Sequence, residues 1–329
     1  MFLASSSVRQ ATIVGKLVLC ELYPRFRRGF EMRFTLRQLE CLVAIGAAGS
    51  IAGAAKNLSL SASAVTGSLN ELEKIFNTQL TIRRKAHGVQ LTPAGSYVLS
   101  QARNLIEGAE DLELMASGVG EVLRGRVKIG CYSSLAPTVL TELLDVYGQL
   151  HPQVQLDFYA GTQQRINEML LAGELDLALV YDFSLDAGLE RTKLFSTEPS
   201  LVLPAGHALA GEQKVALAEL VAEPMILLDV PPSREHTEMV FKAAGLTPWI
   251  RYRTTDFEVT RSMVGRGMGY AILVQRPASD LTYEGRRLVT KRIHPAVRRV
   301  GVSMVYGAGV RLSLAAVAMR DLAVQIHAL

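Results

Sequence analysis

The chain of 329 residues is predicted to fold as a small all-helical module closed by a basic hairpin, then one long connecting helix, then an α/β domain divided into two lobes. Three observations predict this. Between Phe34 and Gly95, apolar residues recur at helical spacing in three short runs ahead of a cationic stretch. From Val98 to Ala116 they step alternately by four and three. Beyond Arg126 the period changes and strand-like runs alternate with helical ones, the pattern of a sheet crossed by helices. The length exceeds what one hydrophobic core holds. No apolar run is long enough to span a bilayer, so a membrane is not an expected partner.

In the first module, Leu36, Leu39, Val43 and Ala47 are spaced as one buried helix face. Gly49 permits a turn, and Ser50 is a good N-cap for a second helix with Ile51, Ala54, Ala55 and Leu58 turned inward. A third helix from Ser61 buries Val65, Leu69, Leu72 and Phe76. Its other face carries Ser63, Thr66, Gly67, Ser68 and Asn70. Small hydrogen-bonding side chains on a free helix face suit a major groove, where they reach base edges and phosphates. The stretch from Ile82 to Val89 reads as two strands around Gly88, with Arg83, Arg84, Lys85 and His87 at the tip, fit for a minor groove or a phosphate ridge. Any three-helix module has a polar face, and a lone basic run is usually a solvated surface. The joint order of helix, Gly-Ser turn, helix, tight turn, polar-faced helix and basic hairpin is what separates this stretch from that background.

In GSIAGAAKNLSLSASAVTGSLNELE and the RRKAHGVQLTPAG that follows, the chain resembles the winged helix-turn-helix of LysR-type transcriptional regulators over about sixty residues. The resemblance implies sequence-specific binding of double-stranded DNA, with Ser50, Ser61, Ser63, Thr66, Asn70, Arg83, Arg84, Lys85 and His87 as the DNA-binding residues. The chain departs from the family pattern in three places. Ala62-Ser63 stand where many members have Gln-Pro, and Gly67 where a long polar residue is frequent, so direct base readout is expected to be thin and DNA shape to matter more. Thr81 stands where an apolar aromatic is usual, so a looser seat for the hairpin is expected.

Charge supports the assignment. Residues 1–95 hold 12 Lys and Arg against 5 Asp and Glu, residues 96–125 hold 2 against 5, and residues 126–329 hold 21 of each. The positive excess therefore lies where DNA reading is placed, as phosphate neutralisation requires. Cys20, Cys41 and Cys131 are far apart and form no CxxC, which suits a reducing cytoplasm better than a disulfide framework. Residues 1–33 are read as an extension, either a disordered arm or an over-long translation start. The winged helix-turn-helix is assigned to 34–92 and the linker helix to 93–120.

Along that helix, Val98, Ala102, Leu105, Ala109, Leu112 and Ala116 form a heptad seam, which predicts pairing with a second copy. Two paired readers then require an inverted-repeat site. In the α/β region, strands are expected over 127–131, 155–159, 177–180, 200–203, 225–228, 250–254 and 270–274, with late strands near Leu288 and over 300–305. Helices are expected over 136–150, 163–172, 234–244, 257–264 and 312–327. This half resembles the family's effector domain, itself similar to periplasmic solute-binding proteins. The resemblance implies an effector-binding domain over 126–329, with lobe one at 126–196 and 308–329 and lobe two at 197–307.

Two open parallel sheets leave a cleft beyond the strand C-termini. Position along the chain puts Ser133, Ser134, Thr162, Tyr181, Asp182, Ser233, Arg234, Thr255, Phe257 and Gln275 there. Hydroxyls and helix N-termini favour an anion and Arg234 adds a charge partner, so a small carboxylate-bearing effector is expected. Ser133, Ser233 and Thr255 have helix capping as an equally simple role.

Enzyme signatures do not match. The glycines of Gly265-Arg-Gly267-Met-Gly269 precede a strand, so they cannot cradle phosphates as a dinucleotide loop does and read as a helix stop. The six histidines contain no pair at metal-ligand spacing, and Glu235-His236 with Glu238 reads as a solvated helix face. No enzymatic activity, metal or cofactor is expected. The expected protein is a cytoplasmic homo-oligomer, a dimer through the linker helix and a dimer of dimers on DNA, with RNA polymerase as a further contact. The reading from another class is a cleft-based binder or enzyme whose first module serves assembly.

Overall fold

The computed structural model describes residues 33–84, 88–116, 123–183 and 185–327; the expectations for residues 1–32, Lys85, His87 and the glycine-rich end of the linker at 117–122 lie outside them. The chain divides into two units, Met1–Gly95 and Ser96–Leu329.

The first unit holds α1 (Leu36–Ala48), α2 (Ile51–Asn57), α3 (Ala62–Phe76) and the hairpin β1 (Thr81–Arg84) with β2 (Gly88–Leu91). A reciprocal capping box starts α1: the Gln38 N–H donates to Thr35 Oγ1 at 3.2 Å and the Thr35 N–H donates to Gln38 Oε1 at 2.8 Å. Gly49 ends α1 in the left-handed region at φ +62°. The core is Leu39, Cys41, Leu42, Ile45, Ala54, Ala55, Val65, Leu69, Leu72 and Leu80. This shifts the buried face of α1 from the one expected. Leu36 is 45% exposed, Ala47 is exposed and Val43 is half-buried. Residues 41–45 are apolar without a break, so the spacing fits more than one face, and packing against α2 and α3 selects Leu39, Leu42 and Ile45.

The seat of the hairpin is also tighter than expected. Thr81 is buried. Glu73 Oε1 accepts from the Leu80 N–H at 2.8 Å, the Thr81 N–H at 3.0 Å and the Thr81 hydroxyl at 3.3 Å. A threonine thus replaces aromatic packing with bonds to a carboxylate at the end of α3. A Cβ on Gly95 would sit 1.9 Å from the Leu80 carbonyl, so only glycine lets α4 (Pro93–Ala116) start against the residue that leads into β1.

In the second unit, lobe one is a five-stranded sheet of order β4-β3-β5-β13-β6, built from β3 (Gly125–Tyr132), β4 (Val154–Gly161), β5 (Leu177–Tyr181), β6 (Leu189–Thr197) and β13 (Val300–Gly307). The strands β3, β4 and β5 are parallel, while β13 runs antiparallel to β5 and β6. The expected lobe boundary at 307 is therefore corrected: β13 belongs to lobe one. The helices α5 (Thr141–Leu150) and α9 (Leu314–His327) share one face, where Tyr147 is fully buried and donates to the Ala315 carbonyl at 2.8 Å. The helix α6 (Gln163–Leu171) covers the other face with Ile166 and Leu170. The final helix returns to lobe one, as expected.

Lobe two contains β7 (Ser200–Pro204), β8 (Lys214–Ala216), β11 (Ala271–Leu273) and β12 (Leu288–His294) in the order β11-β7-β12-β8. A parallel pair, β9 (Pro224–Leu228) and β10 (Trp249–Thr254), joins it through a Met225–Tyr270 bridge. Its helices are α7 (Ser233–Ala243) and α8 (Phe257–Gly265). The sheet is mixed where a parallel one was expected, because β7 pairs antiparallel with both β11 and β12. Alternation of strand and helix is the same for either direction, so periodicity cannot separate them. Among the described residues no single helix is long and apolar enough to cross a membrane.

Candidate DNA-reading face and effector cleft

The start of α3 is organised by its own hydroxyls. Ser61 Oγ accepts from the Ala64 N–H at 3.1 Å and lies 2.9 Å from Ser63 Oγ. Ser61, Ser63 and Asn70 are exposed, Thr66 is half-buried, and Gly67 has open space where a side chain would stand. These residues share the face opposite Val65, Leu69 and Leu72. Ser50 has a different job: it is half-buried and accepts from the Gly53 N–H at 3.1 Å as the cap of α2. Arg83 and Arg84 lie on β1 opposite Val89 and Gly88. The Val89 N–H donates to the Gly49 carbonyl at 2.8 Å, which fastens the hairpin to the turn between α1 and α2. A Cβ on Gly88 would meet that carbonyl at 2.4 Å, and Gly88 is at φ +76°. Glycine is thus required at the base of the cationic tip.

Between the lobes lies a cavity of about 360 Å³. Six of the ten expected cleft residues line it: Ser133, Ser134 and Thr162 from lobe one, and Thr255, Phe257 and Gln275 from lobe two. Two bonds cross it. Gln275 Nε2 donates to Thr138 Oγ1 at 2.6 Å, and Tyr132 Oη lies 3.2 Å from Ser233 Oγ.

The other four expected residues do not line it. Tyr181 is buried beneath, with its hydroxyl 3.2 Å from Ser134 Oγ and its ring edge-on to Tyr132 at 5.4 Å. Burial pushes its phenol well above the ordinary range. Asp182 is paired with Arg191. Ser233 is spent on Tyr132. Arg234 is held by Asp229 at 3.2 Å and Glu235 at 2.8 Å, which raise its pKa. The charge partner expected for a carboxylate is therefore not among the cavity's lining residues.

The sequence reading missed Tyr132, Thr138, Asp256, Glu258, Arg261 and Tyr283 on the cavity wall. The three-residue step from Glu258 to Arg261 was the available signal, since it places both on one face of α8. Capping is also distributed differently from expectation. Thr162 caps α6 and Asp256 caps α8, while neither Ser233 nor Thr255 caps a helix. His236, expected on a solvated face, is buried; burial lowers its pKa, and a bond with the Arg298 backbone opposes this. The helix α8 does stop at its glycine run, where Gly267 takes φ +73°. Among the described residues no group of His, Cys, Asp and Glu could hold a metal ion. Cys41 and Cys131 are buried free thiols, and burial drives the Cys131 pKa far up.

A helix-turn-helix reader in one unit and a two-lobed domain with a ligand-sized cavity in the other define a class, DNA-binding regulators that carry an effector domain. Residues 120–327 match the LysR substrate binding domain and residues 36–96 the bacterial regulatory helix-turn-helix protein of the lysR family. The chain belongs to the LysR family of transcriptional regulators, which are DNA-binding transcription factors and not enzymes. It is similar to HinK, a LysR family regulator of Pseudomonas aeruginosa, at 34% identity over 89% of this chain and 98% of that one, with a TM-score of 0.60. It is also similar to the RuBisCO operon transcriptional regulator of Allochromatium vinosum, 28% identical over 88% of this chain and 95% of that protein. The hydrogen peroxide-inducible genes activator of Pectobacterium carotovorum subsp. carotovorum is 26% identical over 77% of this chain and 82% of its own length.

Proposed function

We propose that the protein binds an inverted-repeat promoter site in the cytoplasm as a homo-oligomer and responds to a small organic effector held between its lobes. The polar face of α3 enters the major groove, and the cations of the hairpin neutralise phosphates. Pairing runs through α4, where Leu105 and Leu112 stand one heptad apart and are 51% and 66% exposed. Two such pairs form a tetramer, and contact with RNA polymerase completes the regulatory reading. The effector changes lobe closure, and closure changes the geometry with which paired readers meet DNA.

The observation that carries the reading is the inter-lobe cavity, whose opposite walls are joined by the Gln275–Thr138 bond. A ligand that replaces this bond acts on both lobes at once. The carboxylate expected from the sequence drew on Arg234, which is occupied outside the cavity, so it is not part of the proposal. The name of the Pectobacterium relative is not carried over: among the described residues the cysteines, Cys41 and Cys131, are both buried, and a buried thiol is a poor nucleophile.

A thermal-shift screen of the full chain against small organic molecules tests the reading, since a ligand adds stability as ln(1 + [L]/Kd). The expected result is a set of hits lost in the Ser133→Ala, Gln275→Ala double variant while affinity for promoter DNA is kept. Hits that survive this substitution would place binding elsewhere, and loss of DNA affinity along with the hits would mark a folding defect.

A further inference from the structure

A second cavity, of about 330 Å³, lies between α6 of lobe one and the start of α7 of lobe two, and it shares no lining residue with the first. Gln163 and Asn167 come to its wall from one face of α6, one turn apart, and Glu235 comes from α7. Each of these three side chains carries a buried oxygen with no hydrogen-bond partner among the described residues: Gln163 Oε1, Asn167 Oδ1 and Glu235 Oε2. Six side-chain atoms of the described residues are in that state, so half of them gather on one wall.

The rest of each group does not relieve the need. Gln163 is 4% exposed, and its Nε2 donates to the Phe183 carbonyl at 2.7 Å, which fixes the amide with Oε1 as the idle atom. Glu235 spends Oε1 on Arg234 at 2.8 Å and leaves Oε2. A buried acceptor without a donor is costly, and native structures keep few of them. All three idle atoms accept and none donates, so the missing group is a donor. Charge does not make this assignment, since Glu168 on the same wall is paired with Arg165, and Glu235 with Arg234. A group with several N–H bonds, a primary ammonium or an amidinium, can serve acceptors on both helices. Leu171, Phe183, Pro231 and Pro232 complete the wall and suit an apolar body.

We propose that this second cavity is a ligand site of its own, for a small molecule that bears a primary ammonium or amidinium group on an apolar body. It joins α6 to α7, so its ligand biases lobe closure from a place that the effector does not occupy. The site stands whether or not an effector fills the larger cavity.

Thermal shifts of the full chain at neutral pH test this with three probes that are all cations. Benzylamine and benzamidine carry N–H donors, and benzyltrimethylammonium carries the charge without them. The first two are expected to raise Tm at concentrations about tenfold below any effect of the third. In Asn167→Leu with Glu235→Met, the shift is expected to need at least about tenfold more amine. The ligand-free Tm of that variant is expected to hold or rise, since two idle acceptors are gone. In Ser133→Ala with Gln275→Ala, which alters the other cavity, the amine shift is expected to be unchanged.

A quaternary probe as effective as the amines overturns the proposal, and so does silence of all three at about 10 mM. An amine shift that survives Asn167→Leu with Glu235→Met also overturns it. A ligand-free Tm lowered by that variant would mean that the oxygens already have partners, which is equally fatal. An amine shift lost in Ser133→Ala with Gln275→Ala alone moves the amine to the effector cavity, which sinks this site and leaves the cleft reading standing.

Discussion

At the residue scale, Glu73 links the end of α3 to the hairpin through three hydrogen bonds to Leu80 and Thr81. Its removal leaves two part-buried backbone N–H groups without their acceptor. Glu73→Ala is expected to destabilise the first unit by about 2–3 kcal/mol, read by chemical denaturation, with Glu73→Gln losing less because an acceptor oxygen remains. The role of Glu73 was not legible in the sequence, since an acidic residue on a polar helix face looks the same whether or not a strand folds back onto it. The caps were partly legible. Ser50 and Ser61 cap the helices they precede, but Asp256 and not Thr255 caps α8, because neighbouring residues of equal propensity are separated only by backbone geometry. Arg234 failed for a related reason. Position placed it at a helix start, but Asp229 and Glu235, its near neighbours in sequence, took its guanidinium first.

At the element scale, α4 carries two faces. Leu99 is buried, and so is Ala102, which was expected on the pairing seam; a Cβ on Gly173 of lobe one would meet Ser100 Oγ at 2.7 Å, so one side packs within its own unit. Leu105 and Leu112 face outward. A helix packed only on its own domain does not need those leucines exposed, whereas a pairing seam does. Leu105→Asp with Leu112→Asp is expected to convert the oligomer to monomer in sedimentation or light scattering, with the far-ultraviolet helix signal kept. An unchanged mass would remove α4 from the interface. Most strands and helices were legible from period and length, with ends shifted by a few residues, but β6 and β8 were not expected. Strand direction was not, and the assignment of β13 to lobe one needed the pairing itself, since β13 follows lobe two in the chain and rejoins lobe one only in space.

At the scale of the whole molecule, the cationic excess of residues 1–95 and the charge balance of residues 126–329 divide the work. The excess lies in the part that carries the helix-turn-helix, and the part that carries the effector domain has no net charge. The central claim is that the first unit reads duplex DNA through α3 and the hairpin cations. Its most direct test is the affinity of the full chain for an inverted-repeat promoter fragment across a salt series. The expected result is a fall of about a thousandfold or more between about 50 and 200 mM salt, with weaker binding and a shallower slope once Arg83, Arg84 and Lys85 are replaced by alanine. Binding that is absent, indifferent to salt, or unchanged in that triple variant would contradict it.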